Sequence, residues 1–303
     1  MLGDEEMSKN LPDLRQVIES GSPLLIDTAM GTSLLQRGMS SGSIAEEYNF
    51  DFPKVVEEIH RLNIDAGADI ICCNTFGANK HKLADKNMEV SCVIEEAVKI
   101  ARKASEGRAW VALDIGPIGK MLKPYGDMET KEARHAFAEQ VQLGCSSDVD
   151  LIIIETMYDL EELAIAAEQA KIHGQGKPVF CSVTIQNKDR TLMGNSINDV
   201  ATRLIDLKID AFGINCGFGP AQMKGLTDAL LAANQGRIRS LMQPNAGLPK
   251  INAEQQAYYD MPVDEYCAIM LEIFASGVTI LGGCCGTTPE YLKQLRQGIP
   301  RAF

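Results

Sequence analysis

Eight short apolar runs, each stopped by a polar or turn-forming residue, divide this chain: Leu24 to Ile26, Ala68 to Cys73, Trp110 to Leu113, Leu151 to Ile154, Val179 to Val183, Ala211 to Ile214, Ser240 to Met242 and Val278 to Leu281. Each reads as a buried strand. Between them, Pro53 to Asp65, Glu132 to Gly144, Leu160 to His173, Ala221 to Ala233 and Val263 to Ala275 place apolar residues three and four apart, the period of an amphipathic helix. Strands that alternate with crossover helices form a parallel sheet covered on both faces. Eight such units in 303 residues predict a closed (β/α)8 TIM barrel rather than an open sheet. No linker or low-complexity stretch interrupts the pattern, so a single barrel domain is expected over 23–303, behind a short mobile extension over 1–22.

Charge narrows the partners. Asp and Glu number 41 against 29 Lys and Arg, a formal charge of −12, which is the wrong sign for a nucleic-acid surface. The first dozen residues hold an acidic cluster and no apolar core, and no later apolar run nears the roughly 18 residues of a membrane span. A cytoplasmic protein without a membrane or nucleic-acid partner is expected. Nine cysteines are too dilute for a disulfide scaffold and odd in number, which turns attention to thiols with a chemical role.

The chemistry of such a barrel sits where its strands end. Those ends read Asp27-Thr-Ala-Met-Gly-Thr32, Asn74-Thr-Phe-Gly-Ala78, Asp114-Ile-Gly-Pro117, Glu155-Thr-Met-Tyr-Asp159, Thr184, Asn215-Cys-Gly-Phe-Gly-Pro220, Gln243-Pro-Asn-Ala-Gly247 and Gly282-Gly-Cys-Cys-Gly-Thr-Thr288. Turn chemistry explains the glycines and prolines, but not carboxylates directly after apolar runs or thiols gathered at the last segment. Cys284 and Cys285 are adjacent, so both reach one point only if the backbone leaves strand geometry, which Gly282, Gly283 and Gly286 permit. Cys216, after the sixth strand, completes a set of three. Three protein thiolates with one open position is the pattern of a catalytic zinc site, and no fourth Cys or His presents itself nearby. Inert buried cysteines or a vicinal disulfide are the other readings; a reducing compartment argues against the second and the glycine frame against the first.

The ordered set Asp27-x-Ala-Met-Gly-Thr, Asn74-Thr-Phe, Gly-Ile-Asn215-Cys216 and Gly-Gly-Cys284-Cys285-Gly-Thr-Thr-Pro289 resembles the homocysteine S-methyltransferase family from about Pro23 to Arg296. The Gly-Cys-Cys-Gly-Thr-Thr-Pro and Asn-Thr-Phe-Gly-Ala segments look closest to its cobalamin-dependent methionine synthase branch. The resemblance implies Zn(II) on Cys216, Cys284 and Cys285, with homocysteine sulfur taking the fourth position as a thiolate and attacking a methyl group to give methionine. It implies Asn245 as a weak oxygen ligand before substrate arrives, Asp27 and Glu155 as acceptors for the α-ammonium group, and rim backbone amides with Thr75 around the carboxylate or chain. The chain ends at Phe303, after the last barrel helix, and contains no Asp-x-His-x-x-Gly stretch for holding cobalamin. The methyl donor is therefore expected from outside, as methylcobalamin or a methyl-corrinoid on a separate protein docking at the rim. S-methylmethionine or another small donor is the alternative, and a non-catalytic zinc or thiol binder acting as a partner platform is a third. One departure is Thr28, where the family usually has Gly; a positive φ there would reshape the pocket.

Other residues take plainer readings. Of Cys72 and Cys73, one is expected as core and the other as barrel filling; Cys92, Cys145, Cys181 and Cys267 are expected as buried small hydrophobes, and His60 as a satisfied structural histidine. His81 is placed near the rim, and His135 and His173 on helix surfaces. Thr287-Thr288-Pro289-Glu290 predicts a helix start that pins the Cys284-Cys285 turn from downstream.

Overall fold

A computed structural model describes residues 11–40, 43–252 and 257–301. Its strands are β1 Leu24–Leu25, β2 Ile70–Cys72, β3 Trp110–Ile115, β4 Leu151–Met157, β5 Val179–Val183, β6 Ala211–Asn215, β7 Arg239–Gln243, β8 Lys250–Ile251, β9 Ala257–Tyr258 and β10 Ile280–Leu281. The helices are α1 Leu14–Glu19, α2 Met30–Gln36, α3 Tyr48–Asp51, α4 Pro53–Asp65, α5 Val90–Ser105, α6 Thr130–Ser146, α7 Leu160–His173, α8 Ile197–Asp206, α9 Pro220–Lys224, α10 Thr227–Asn234, α11 Val263–Ala275 and α12 Pro289–Gly298. Eight strands pair in parallel in the order β1-β10-β7-β6-β5-β4-β3-β2. The ring closes between β1 and β2 through the Ile26–Ile70 bridge, with Asp69 N–H donating to Leu25 O at 2.8 Å and Asp27 N–H to Ile70 O at 3.0 Å. The (β/α)8 expectation is met.

Alternation along each strand builds two cores. Ile70, Trp110, Leu151, Ile153, Phe180, Ala211, Leu241 and Ile280 point into the barrel and pack on one another. Their neighbours Ile71, Val111, Ile152, Ile154, Val179, Phe212 and Leu281 point outward into the helical layer. Both sets are buried because helices cover a closed parallel sheet on its outside and side chains fill its inside. Gly213, an inward position of β6, has no room for a Cβ, which would lie 1.8 Å from Leu241 O.

Several boundaries differ from those expected. The extension over 1–22 is not mobile throughout. Within it, α1 starts on the Asp13 cap and buries Leu14, Val17 and Ile18 against the barrel's inner residues, closing the end where the strands begin; residues 1–10 lie outside the described residues. Arg239 fixes the plug by donating to Ile18 O at 3.1 Å and Ser22 O at 2.7 Å. The helix expected over Ala221 to Ala233 is two, α9 and α10, because α9 stops at its cap Gly225. A two-stranded antiparallel hairpin, β8–β9, occupies the β7–α11 connection and was unforeseen, since strands of two residues carry no alternation to read. No helix among the described residues is long and apolar enough to cross a membrane.

Candidate metal and substrate site

Strand β4 runs three residues past its apolar stretch and β3 two, so Glu155 and Asp114 belong to strands rather than to the turns after them. On β4 the pairing with β5 slips between Ile154 and Met157. Thr156 sits in that bulge at φ 60°, a costly conformation for a β-branched residue, and bulges of this kind re-aim neighbouring side chains. Asn215 at the end of β6 holds the strain in place. Its Oδ1 accepts from Thr156 N–H at 2.8 Å and from Ser182 Oγ at 2.9 Å, and its Nδ2 donates to Thr156 Oγ1 at 2.7 Å and reaches Cys284 Sγ at 4.0 Å. One buried amide thus ties Glu155's strand to the thiols.

The thiols follow from backbone turns. Cys216 has φ 57°, outside strand geometry, and Gly217 follows at φ 70°. After β10 the chain turns through Cys284 and Cys285, with Gly286 at φ 82°, where a Cβ would strike the Tyr259 ring at 2.4 Å. Cys284 N–H donates to Pro244 O at 2.9 Å and Ala246 N–H to Cys285 O at 2.9 Å. Thr287 Oγ1 donates to Cys284 O at 2.7 Å just before Thr288 caps α12, the downstream pin expected from the sequence. The sulfurs of Cys216, Cys284 and Cys285 come within 4.8 Å of one another, Cys216 and Cys285 at 3.8 Å. Hydrogen bonds from Cys216 and then Cys284 pull the Cys285 thiol down to about 3, while the hydrogen bonds that Cys284 makes to Cys216 and Cys285 hold its own proton firmly. Tyr259 also hydrogen-bonds the Cys285 sulfur. Three convergent sulfurs, one already disposed to be an anion, are a donor set that fits zinc with a fourth position to spare. All nine cysteines are free thiols.

These sulfurs line a cavity of about 730 Å³ together with Asp27, Asp114 and Glu155. Asp27 Oδ2 accepts from Cys72 N–H at 2.9 Å. Burial pushes its carboxyl up to about 7. Burial, then the neighbouring Asp27, push Glu155 up to about 8. Asp114 is raised further, by burial and then by Glu155 and Asp27, and its buried Oδ1 has no partner.

Thr75 does not line the cavity; its hydroxyl donates to Asp114 O at 2.8 Å and accepts from Asp114 N–H at 3.2 Å, joining β2 to β3. Asn245 is buried behind the cavity wall with Oδ1 unpartnered, in the segment that brackets the Cys284-Cys285 turn. His81 sits 3.7 Å from Glu132, away from the cavity. His60 is buried as expected but unsatisfied, since neither ring nitrogen has a partner. Cys92 is exposed on α5, not buried; Cys145, Cys181 and Cys267 are buried. Cys73 joins the outer core and the half-buried Cys72 packs against the inner one, so one is core and the other barrel filling, as expected. Asp114, Lys82 and Tyr259 line the cavity without having been given roles from sequence. Asp114 was visible as a strand-end carboxylate; Lys82 and Tyr259 carry no local signal.

Thr28 does not adopt a positive φ. Its N–H and hydroxyl donate to Asn63 Oδ1 at 3.1 and 2.7 Å, so the side chain braces β1 against α4. Thr28→Gly should leave the site intact and cost about 1 kcal/mol by weakening the pairing of a buried amide, read as a Tm lower by about 2–4 °C. A large loss of substrate binding would contradict this bracing role.

The sequence profile described as homocysteine S-methyltransferase matches residues 24–299. Methionine synthase from Mycobacterium leprae is 30% identical over 296 residues, 91% of this chain and 24% of that protein. Methionine synthase from Mycobacterium tuberculosis is 30% identical over 292 residues, 90% of this chain and 24% of that protein. The chain thus spans about a quarter of the length of these relatives. The metallated form of the homocysteine methyltransferase MmuM from Escherichia coli superposes with TM-score 0.80 at 21% identity, covering 94% of this chain and 99% of that one.

Proposed function

The chain belongs to the homocysteine S-methyltransferase family of methyltransferases, and on that premise we propose that it transfers a methyl group to homocysteine sulfur, giving methionine, at the Cys216, Cys284 and Cys285 cluster. The observation that carries the reading is the meeting of three sulfurs and a group of buried carboxylates in one cavity. Zinc held by the three cysteines would supply the lowered thiol pKa that keeps homocysteine a nucleophilic thiolate at neutral pH.

The chain's own residues do the rest. Asp27 and Glu155 accept hydrogen bonds from the α-ammonium group, a charge-assisted pairing that orients the amino acid and places its sulfur toward the cysteines. Asn215 and the bulge at Thr156 hold Glu155 in register with Cys284. Thr75 positions rather than binds, by fixing the strand that carries Asp114. Asn245, whose buried Oδ1 has no partner, is the oxygen ligand proposed for the zinc before substrate enters.

The donor is a methyl-corrinoid carried by a separate protein that docks on the rim. Incubating zinc-loaded protein with homocysteine and either methylcobalamin, a methyl-corrinoid protein or S-methylmethionine should give methionine with the first two. Turnover with S-methylmethionine alone would move the assignment to a small donor. Tight zinc binding with no methionine from any donor would make the barrel a binding platform instead.

A further inference from the structure

Asn215 holds Glu155 in register, and its side chain does more than that bracing requires. It has no exposed surface. Which end of its carboxamide is oxygen follows from the partners. The Thr156 N–H can only donate, so the atom 2.8 Å from it is Oδ1, and the Ser182 hydroxyl at 2.9 Å donates to the same oxygen. The nitrogen therefore faces the other way with two hydrogens to place. One goes to Thr156 Oγ1 at 2.7 Å. The other points at Cys284 Sγ, 4.0 Å away, the long end of the range for an amide on sulfur. Fully buried, that hydrogen has the sulfur as its one remaining acceptor among the described residues.

The fold is arranged to bring this amide to that sulfur. Asn215 ends β6 and Cys284 follows β10, with β7 between them in the ring. Two strand spacings, about 9–10 Å, separate the two elements, so the pair meet only because both side chains turn inward over β7. Thr156 is kept at φ 60° by two of the bonds that orient the carboxamide. Three thiolates bring one more negative charge than Zn(II) carries positive, and a homocysteine thiolate adds another. Hydrogen bonds donated to ligating sulfurs disperse such an excess. Cys285 has a donor of this kind in Tyr259.

We propose that Asn215 is a positioning residue of the metal centre, its Nδ2–H donating to the Cys284 thiolate so that the cluster accepts a fourth, anionic sulfur. The inference rests on the homocysteine reading above. Asn215 acts through Cys284 and not on the substrate, and a simple brace for the β4 bulge would need no donor on that side.

Two measurements made without homocysteine test it. In wild type loaded with a magnetic isotope of cadmium, an Asn215 side-chain amide proton should show scalar coupling to the metal, transmitted through the N–H···S bond. In cobalt-loaded protein, Asn215→Asp should move the sulfur-to-cobalt charge-transfer band to lower energy, and chelator competition should show zinc bound about 10–100-fold more weakly. Aspartate keeps the oxygen that Thr156 and Ser182 use, so the bulge survives while the N–H is lost. Ser182→Ala does the reverse, removing a bracing bond and leaving the sulfur its donor, so its band and zinc affinity should stay at the wild-type values. Absence of the coupling in wild type, or an unmoved band with full zinc affinity in Asn215→Asp, would overturn the assignment. So would a band shifted as far by Ser182→Ala as by Asn215→Asp, the mark of a brace alone. If Asn215→Asp does not fold, the wild-type coupling decides. Homocysteine added last separates the two readings: a cobalt band that it leaves unchanged, with the coupling present, would sink the homocysteine reading and leave Asn215 as the donor to Cys284.

Discussion

Cys285→Ala protein should emerge from purification with little zinc and should form no measurable methionine. Of the three sulfurs, Cys285 is the one that the other two donate to, so its removal takes away the anion on which the cluster is organised. The cost exceeds that of disturbing an outer partner of a metal ligand, which is typically about 10–100-fold in metal affinity. Two sulfur donors remain, too few for a closed or catalytic zinc site. The backbone should tolerate the change, because the turn is held by Cys284 N–H to Pro244 O, Ala246 N–H to Cys285 O and Thr287 Oγ1 to Cys284 O, none of which needs the Cys285 sulfur. Cys92→Ala, exposed on α5 and remote from the cavity, is the matched control and should retain both zinc and turnover. Metal analysis beside a methionine assay reads the outcome. A full equivalent of zinc together with undiminished turnover in Cys285→Ala would remove the cluster from the chemistry altogether.

How far the sequence disclosed this site depended on whether a residue's neighbours along the chain determine its surroundings. The alternation of apolar runs and helical periods was enough for the barrel, since each unit must bury its own face. The Cys284-Cys285 pair stood out because its flanking glycines announce a backbone departure. Asp114 and Glu155 were placed just beyond their strands, because a polar residue normally ends an apolar run; here the strands continue, with Asp114 buried and Glu155 half-buried within them. Nothing local distinguishes Lys82, which reaches the cavity wall through a slot left by the glycines at 77 and 119 and lies in the field of Glu46, Glu162 and Asp114. Thr75 misled in the opposite direction, as its motif lies at the rim while its hydroxyl is spent on β3. Tyr259 reaches Cys285 only because a hairpin with two-residue strands folds the β7–α11 connection back over Gly286.

Glu155→Gln should separate function from stability. The α-ammonium loses a charge-assisted acceptor, so homocysteine should bind about 10–100-fold more weakly and kcat/KM fall at least as far. The pH dependence follows from the carboxyl groups. Asp27 is raised to about 7 and Glu155 to about 8, each first by burial, and an ammonium group is held only by an ionised partner. Wild-type affinity should therefore climb as pH rises through 7 and 8, whereas in Glu155→Gln the climb should follow Asp27 alone. Stability moves the other way. A carboxyl whose folded pKa lies above its unfolded value contributes fully below the unfolded value and loses that contribution as pH rises through the folded one, so folding weakens between about pH 4 and about pH 8. Glutamine keeps the neutral shape and cannot ionise, so Glu155→Gln should melt about 2–5 °C above wild type near pH 8 and close to it near pH 4. Thermal melts and calorimetric titrations across that range test both halves. A variant no more stable than wild type at the alkaline end would mean that Glu155 is already paired there, and an unchanged affinity would mean that the ammonium group binds elsewhere. Both results together would return Glu155 to a purely structural place in the β4 bulge. The opposite pair, tighter folding and weaker binding, is what a strand that buries an acid for the sake of a cationic ligand must give.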